Sequence, residues 1–364
     1  MLKDIAVIIV NWNSNELVVE QVKNLSKFVE EIIVVDNNSD VPLSTVLKKS
    51  EHCLVIQNTY NRGFASACNQ GLTLVTKKWT VFLNPDVTIT RKNLADFETY
   101  ASENRVEAVS VATDNDNYSK PVPTVFNLVT EFTFLRSVLL LQNSNQNKSL
   151  KTLIGGILFI NTKTLKKIGG WDERFFLWFE DSDLTKQLLD AFIPIGFCKT
   201  DIAHIGGQSV KKLSTIQQKD LFFHAMNVYA KKHFSSLGSA IIKLISLRYS
   251  KKKYLPTINE HIDSIIFADS NDLSADSFLN KNGSLFVTSQ FNKNYEVVIV
   301  TDSISPENVF TYRLRFPVIR FIPLTKKTSQ KNKIEIGRNV VTGKIITVIS
   351  DSSNINLSTL VQEK

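Results

Sequence analysis

The sequence predicts an α/β chain whose N-terminal part is built on a parallel sheet. Two observations carry this. Short, wholly apolar runs rich in β-branched residues alternate with stretches of helical periodicity, and the links between them are short. Each apolar run ends in Asn or Asp, as strands do when they leave a buried sheet toward a polar crevice. The 364 residues, at about 150 per domain, correspond to about two domains. With 43% hydrophobic and 21% charged residues, the chain can build a core. Its 13 Gly and 9 Pro exclude collagen-like and linker-dominated architectures. Cys53, Cys68 and Cys198 are odd in number and lack a C-x-x-C spacing. This excludes a disulfide scaffold and a thiolate zinc site and favours a reducing compartment.

The elements follow in order. Ile5–Val10 is a buried strand, and Leu17, Val18, Val22, Leu25 and Val29 give helical spacing over residues 16–29. Ile32–Val35 and Leu54–Ile56 are further strands, Phe64–Val75 a helix, and Thr80–Leu83 a fourth strand. The strands run out into Asn11 and Asn13, Asp36 and Asn38, and Asn84 and Asp86. In an open parallel sheet, ligands bind beyond the carboxyl ends of the strands, so three such clusters describe one crevice. The same residue types also cap helices and make turns. Neither G-x-G-x-x-G after the first strand nor G-x-x-x-x-G-K-[ST] is present, so dinucleotide oxidoreductase and P-loop readings lose their support.

The motifs then fall into a known order. Asn11-Trp12-Asn13, Val34–Ser39, Asn61–Ala65 with Asn69-Gln70-Gly71, and Leu83–Val87 resemble the family 2 glycosyltransferases, most closely their rhamnosyltransferase-like branch. Gly155–Ile160, Ile168–Phe176, Phe179–Leu184 and His204–Ser209 continue the resemblance over roughly residues 4–235. It implies a GT-A fold (a Rossmann-like nucleotide-diphospho-sugar transferase domain), a nucleotide-sugar donor, a divalent metal and inversion at the anomeric carbon.

Roles carry over by match to these motifs. Asp36, with Asn11, Asn13, Asn38, Arg62 and Asn69, is expected around the nucleotide sugar; a carboxylate can accept from ribose hydroxyls or a base N–H. Asn84-Pro85-Asp86 stands where many GT-A enzymes have Asp-x-Asp. Asp86 supplies one hard oxygen ligand for Mg2+ or Mn2+, and Asn84 only a neutral one. His204 is expected as a further metal or diphosphate ligand, with Gly206 and Gly207 letting backbone approach phosphate. Asp181 is the expected general base and Glu180 its orienter or an acceptor-hydroxyl contact. The same acids also suit the start of a helix, whose dipole is expected to keep Asp181 ionised. Trp171 and Trp178 are expected to form an acceptor platform, although aromatic residues there also suit core packing.

The charge of +8 is uneven: residues 211–253 hold nine Lys and one Arg against a single Asp. The rest is near neutral, so no nucleic-acid partner is expected. The expected organisation is a GT-A domain over 1–212, a basic amphipathic helical segment over 213–258 and a smaller α/β unit over 259–364. The basic segment suits the headgroups of an anionic membrane, or a solvated face packed on the catalytic domain. In the last unit, Ser264–Phe267, Tyr295–Val300, Val318–Ile322 and Ile345–Ile349 repeat the first strands, with Asp302 and Asp351 matched to Asp36 and Asp86. It reads as a partial, degenerate second GT-A unit that is dispensable for chemistry. No run reaches the roughly 20 apolar residues of a membrane span, and no signal peptide is expected. The whole reads as a cytoplasmic transferase, peripheral on the inner face of the membrane, acting on a glycan or lipid-linked glycan in bacterial surface-polysaccharide assembly, with dTDP-rhamnose as the expected donor. Two alternatives stand beside it: a sugar-nucleotide nucleotidyltransferase and an inactive assembly protein.

Overall fold

A computed structural model describes residues 1–47, 52–112, 120–132, 150–204, 213–249, 261–286 and 294–350. In chain order the first part runs β1 (Leu2–Asn11), α1 (Asn15–Leu25), β2 (Val29–Asp36), α2 (Leu43–Val46), β3 (Cys53–Gln57), α3 (Phe64–Leu74), β4 (Trp79–Leu83), β5 (Val87–Thr88), α4 (Arg91–Asn104) and β6 (Ala108–Val111). It continues through α5 (Val125–Glu131), β7 (Ile157–Asn161), α6 (Thr162–Lys167), α7 (Glu180–Asp190), β8 (Ile195–Cys198) and β9 (Ala203–His204). Two helices follow, α8 (Thr215–His233) and α9 (Ser236–Tyr249). The last part is β10 (Asp263–Ala268), α10 (Ala275–Phe286), β11 (Tyr295–Thr301), α11 (Val309–Arg315), β12 (Arg320–Pro323), α12 (Gln330–Arg338) and β13 (Ile346–Ile349).

The main sheet has seven strands in the order β3-β2-β1-β4-β7-β6-β8. It is parallel except where β7 lies antiparallel between β4 and β6. Alternation along β1 fills two cores: Ile5, Val7 and Ile9 face one layer, and Ala6 and Ile8 the other. Both faces are covered, so the strand is apolar throughout. This agrees with the α/β, GT-A expectation.

The second sheet is parallel, in the order β12-β11-β10-β13, which repeats β3-β2-β1-β4. One packing detail fixes the correspondence. Gly71 on α3 and Gly337 on α12 each press against one isoleucine, Ile8 on β1 and Ile266 on β10, where a Cβ would come within 2.8 and 2.5 Å. Only a glycine lets these helices lie so close to their sheets. The register then corrects the sequence alignment. Ile8 pairs with Ile33, and Ile266 with Val298. The rung beyond Ala268–Val300 is therefore Asp269–Thr301, where the first unit has Asn11–Asp36. Asp302 corresponds to Asn37 rather than to Asp36, and Asp351 lies outside the described residues. The acid has changed strands, and Thr301 Oγ1 donates to Asp269 Oδ2 at 2.5 Å.

The second unit is tied to the first through buried charge. Glu173, in the segment joining α6 to α7, is 2% exposed. Its carboxylate accepts from Ser66 Oγ at 3.0 Å and Asn69 Nδ2 at 2.8 Å on α3, and from Arg313 Nη2 on α11. Arg320 Nη2 donates to the Glu173 carbonyl at 2.8 Å, and its Nη1 to Glu296 at 2.7 Å. Phe310 of α11 joins the core beneath the main sheet. The structure thus argues against treating 259–364 as dispensable, since cutting there strips Glu173 of both guanidiniums. Breaking one partner of a buried pair costs about 3–5 kcal/mol. Arg313→Met should show a loss of that size in urea unfolding, and adding Glu173→Gln should recover much of it.

Candidate active site

The strand-end crevice begins at the β1–β2 rung. Asp36 is fully buried. Its Oδ1 accepts from Ser39 Oγ at 2.5 Å, the Ser39 amide at 3.2 Å and Asn11 Nδ2 at 3.2 Å, while Oδ2 accepts from the Leu43 amide at 2.8 Å. Asn11, also buried, donates to Asn15 Oδ1 at 2.7 Å and accepts from the Ser14 amide at 3.1 Å. In this conformation the pair organises the turn. Asn13 and Asn38 flank it with left-handed φ of 56° and 65°, a region that asparagine tolerates. Asn38 is exposed at the mouth, and Asn13 Oδ1 accepts from the Asp40 amide at 2.7 Å.

Sequence reasoning passed over Asn37, the hub of this region. Its Oδ1 accepts from the Arg62 amide at 2.9 Å and Asn58 Nδ2 at 3.1 Å, and its Nδ2 donates to Asn61 Oδ1 at 2.8 Å. The 58–63 loop is thereby pinned to the end of β2. Arg62 itself is 3% exposed and turned toward the second unit, donating from Nε to Tyr60 Oη at 3.2 Å and from Nη1 to the Pro317 carbonyl at 3.2 Å. Asn69 is likewise interior: its amide group bonds the Trp171 backbone N–H and carbonyl and Glu173. Both side chains, expected at the donor, serve as braces here.

The β4 end is built differently. Gln21 Nε2 on α1 donates to the carbonyls of Asn84 at 3.0 Å and Val87 at 2.7 Å, fixing the Asn84-Pro85-Asp86 turn. The Asn84 amide donates to the Gly156 carbonyl at 2.9 Å. The Asn84 side chain lies so close that a Cβ on Gly156 would sit 2.4 Å from Nδ2. Asp86 is 8% exposed. The β5–β9 ladder sets His204 opposite Val87, so the backbone brings His204 beside Asp86 from more than a hundred residues away. Gly206 and Gly207 lie outside the described residues.

Directly beside this turn is the Glu180–Asp181 pair at the start of α7. Gly155 packs against Asp181, and Gly156 against Asn84, so one dipeptide separates the two groups. Trp178 and Phe179 enter the helix with φ of 67° and 63°, a left-handed conformation costing about 1–3 kcal/mol for each bulky residue. Asp181 Oδ1 accepts from the Ser182 amide at 2.6 Å. Burial outweighs these favourable contacts and pushes the Asp181 carboxyl up from its ordinary range. The shift runs against the direction in which the helix dipole acts. Glu180 is pushed up to about 8, by burial and then by the Asp181 charge. Its Oε2 is buried and has no hydrogen-bond partner among the described residues.

The aromatic residues divide. Trp171 is 1% exposed, set edge-on to Phe64 and Phe82. In this conformation it presents no face to an acceptor, a correction to the expected platform. Trp178 is half-buried against Phe222 of α8. The basic segment is also less free than its composition implies. Lys232 bridges Asp172 and Asp183 at 2.7 Å, and His233 meets Asp183 at 2.6 Å. Burial raises the Asp172 carboxyl, but Arg174 and Lys232 overcome it and hold it well below its usual range. Helix α8 is therefore clamped to the helix that carries Asp181.

Residues 6–169 match the glycosyl transferase family 2 profile, and residues 136–206 match the N-terminal domain of galactosyltransferase. The low-salt glycan biosynthesis hexosyltransferase Agl10 of Haloferax volcanii is 25% identical over 210 residues, which are 55% of this chain and 66% of that protein, just short of two thirds. Among solved structures, S. aureus TarS 1-349 in complex with UDP-GlcNAc superposes with a TM-score of 0.42 at 16% identity, covering 68% of this chain and 71% of that one. The mannosyltransferase PcManGT of Pyrobaculum calidifontis, in complex with GDP-Man and Mn2+, gives 0.44 at 13%, covering 79% and 81%. The chain carries a glycosyl transferase family 2 domain.

Proposed function

We propose that the chain is an inverting glycosyltransferase. It moves a sugar from a nucleotide-sugar donor to a hydroxyl of a glycan or lipid-linked glycan on the cytoplasmic side of a membrane. The observation that carries this reading is the Gly155-Gly156 contact, which holds Asp181 beside the Asn84–Asp86 turn. A donor whose diphosphate meets that turn has its anomeric carbon within reach of a hydroxyl activated at Asp181.

The chemistry follows from the two carboxyls. The acceptor hydroxyl gives its proton to Asp181 as its oxygen attacks the anomeric carbon, and the nucleoside diphosphate leaves from the opposite face. Burial and the neighbouring Asp181 charge raise the Glu180 carboxyl to about 8, which favours its protonated form at neutral pH. A neutral Glu180 can donate to a sugar hydroxyl and leaves Asp181 as the base.

Asp86, next to the Val87 that pairs with His204 across the β5–β9 ladder, would supply a carboxylate to a divalent cation that arrives with the donor. Hard cations of this kind take one or two carboxylates and complete their shell from phosphate and water. Among the described residues no cluster of three His, Cys, Asp or Glu closes a site on its own. When bound, Mg2+ or Mn2+ neutralises diphosphate charge. A deoxysugar donor such as dTDP-rhamnose is the finer reading of the Asn84-Pro85-Asp86 turn, and thermal-shift screening of nucleotide sugars decides it. In the second unit, Lys333 of α12 lies in the equivalent crevice, bonded to Asp269 at 2.5 Å and Asp302 at 2.9 Å. That crevice is filled by an internal cation and is given no donor role.

Asp181→Asn keeps the shape and removes the proton acceptor. Turnover should fall by about 10²–10⁴ while nucleotide binding survives; near-normal turnover overturns the assignment. EDTA should abolish transfer, and Asp86→Ala should weaken nucleotide binding measured with Mn2+ far more than binding measured without it. Full activity in EDTA removes the metal from the reading.

The Glu180 shift has a pH signature. Its folded value of about 8 lies above the ordinary 4.5, so the folded state holds a proton the unfolded chain has lost. Stability from this group is therefore full below about 4.5 and declines as pH climbs to about 8. Glu180→Gln lacks that decline. Its melting temperature should gain on the parent as pH rises from 5 to 8 (about the span of the shift). The alkaline fall of turnover near 8 should vanish in the same variant.

A further inference from the structure

We propose that one face of α9 docks the protein on an anionic lipid surface. The helix buries Gly238, Ile242 and Ser246, packing against α8 and α5. On its other side Leu237, Leu244 and Leu247 are 73%, 68% and 65% exposed, and Ile241 is 37% exposed. Their spacing of four, three and three residues sets them in one stripe along the helix. Phe126 of α5 is 66% exposed and adjoins Val125, which packs on Gly238. Single exposed apolar residues need no explanation, but a contiguous row of this length does.

The charge beside the stripe selects its occupant. Lys243 and Arg248 are exposed on α9, and the helix contains no acidic residue. A shallow groove of about 390 Å³ runs along the helix, lined by Lys231, Phe234, Ser236, Ser239, Ala240 and Lys243. Lys231 is bonded to Glu335 of α12 at 3.2 Å, while Lys243 and Arg248 flank the apolar row; this matches a phospholipid interface, where acyl chains take the leucines and phosphates meet Lys243 and Arg248. A second copy of the chain fits poorly. Two α9 faces meeting about a twofold axis would bring Lys243 and Arg248 of both copies together with no acid on either helix to offset them.

This deepens the proposed reading of a lipid-linked acceptor, on which its purpose rests, although binding itself requires no turnover. Helix α9 packs on α8, and α8 is clamped through Lys232 and His233 to α7, which carries Asp181. A lipid surface held by α9 is thereby held at a set distance from the base.

The test is flotation of the full chain, without substrates, with vesicles of phosphatidylcholine alone or mixed with phosphatidylglycerol. Binding is expected only to the mixed vesicles and should weaken with salt. Leu237→Ser with Leu244→Ser should cut partitioning by at least about tenfold. Lys243→Glu with Arg248→Glu should remove the preference for anionic lipid. Both variants should keep the parent circular dichroism and the parent turnover on a soluble acceptor. Inorganic phosphate at moderate concentration should not displace the protein beyond the effect of equal ionic strength. The proposal is overturned by equal binding of parent and variants, by no binding at low salt, or by a dimer in light scattering that the leucine changes dissociate. Loss of turnover by the parent with vesicle binding intact sinks the transferase reading and leaves this one standing.

Discussion

A carboxylate taken out of water must be paired and fully hydrogen-bonded, or it costs several kcal/mol. Glu173 obeys this rule by recruiting three parts of the chain. Ser66 and Asn69 on α3 and Arg313 on α11 bond the carboxylate, and Arg320 at the start of β12 bonds the Glu173 main-chain carbonyl. The segment carrying Glu173 leads directly into Trp178, Phe179 and the Glu180–Asp181 pair. Two bulky residues in left-handed backbone persist only where their surroundings leave no alternative. The fixed end of that segment at Glu173, and the clamp of Lys232 and His233 on Asp183 beyond it, supply this constraint from both sides. The position of Asp181 thus depends on residues more than a hundred positions later in the chain.

The polar residues at the strand ends divide the work in the same way. At the β1–β2 rung, Asn11 and Asp36 spend their hydrogen bonds on each other and on the turn. Asn37 does the same for the 58–63 loop. This rigid rim is what a binding crevice requires, because groups that contact a ligand must first be held by groups that do not. At β4 the holding falls to Gln21 and the Gly156 backbone, which bond the main chain of the turn.

Much of the first half was legible in the sequence. Alternating apolar runs and helical periodicity located β1, α1, β2, α3 and β4 to within a few residues, because each turns a regular apolar pattern to the core, and located the half-exposed edge strand β3 by its short apolar run. The strands around residues 108–111 and 195–198 were missed. They have only four residues each and join the sheet through the antiparallel β7, a pairing that no local pattern announces. The Glu-Asp and Asn-Pro-Asp motifs were found by resemblance, but the roles of their neighbours were less clear. Trp171 illustrates the limit: an aromatic residue beside a sugar-transfer motif reads alike as platform or as core, and only its packing on Phe64 and Phe82 separates the two. Glu173 gave a weak signal, because it sits between Asp172 and Arg174 in a visibly charged stretch, while its arginines lay about 140 residues away. The helix start at Asp181 was legible, but the burial that raises its carboxyl was not.

The second unit shows how few changes separate a crevice that can receive a ligand from one that is closed. The strand order, the close helix contact at glycine and the polar rung are all retained. Moving the acid from the second strand to the first, and placing Lys333 where α3 has Ala67, turns the strand end inward. Asp269 now has Lys333, Thr301 and Ser303 as partners, and Asp302 has Lys333 and the Thr328 amide. A cation that belongs to the chain is covalently present at high effective concentration, so it outcompetes a free ion without paying association entropy. The same frame therefore serves two ends. In one unit it leaves an acidic turn beside the Glu180–Asp181 pair, and in the other it locks itself shut and lends Arg313 and Arg320 to Glu173, which anchors the segment leading to that pair.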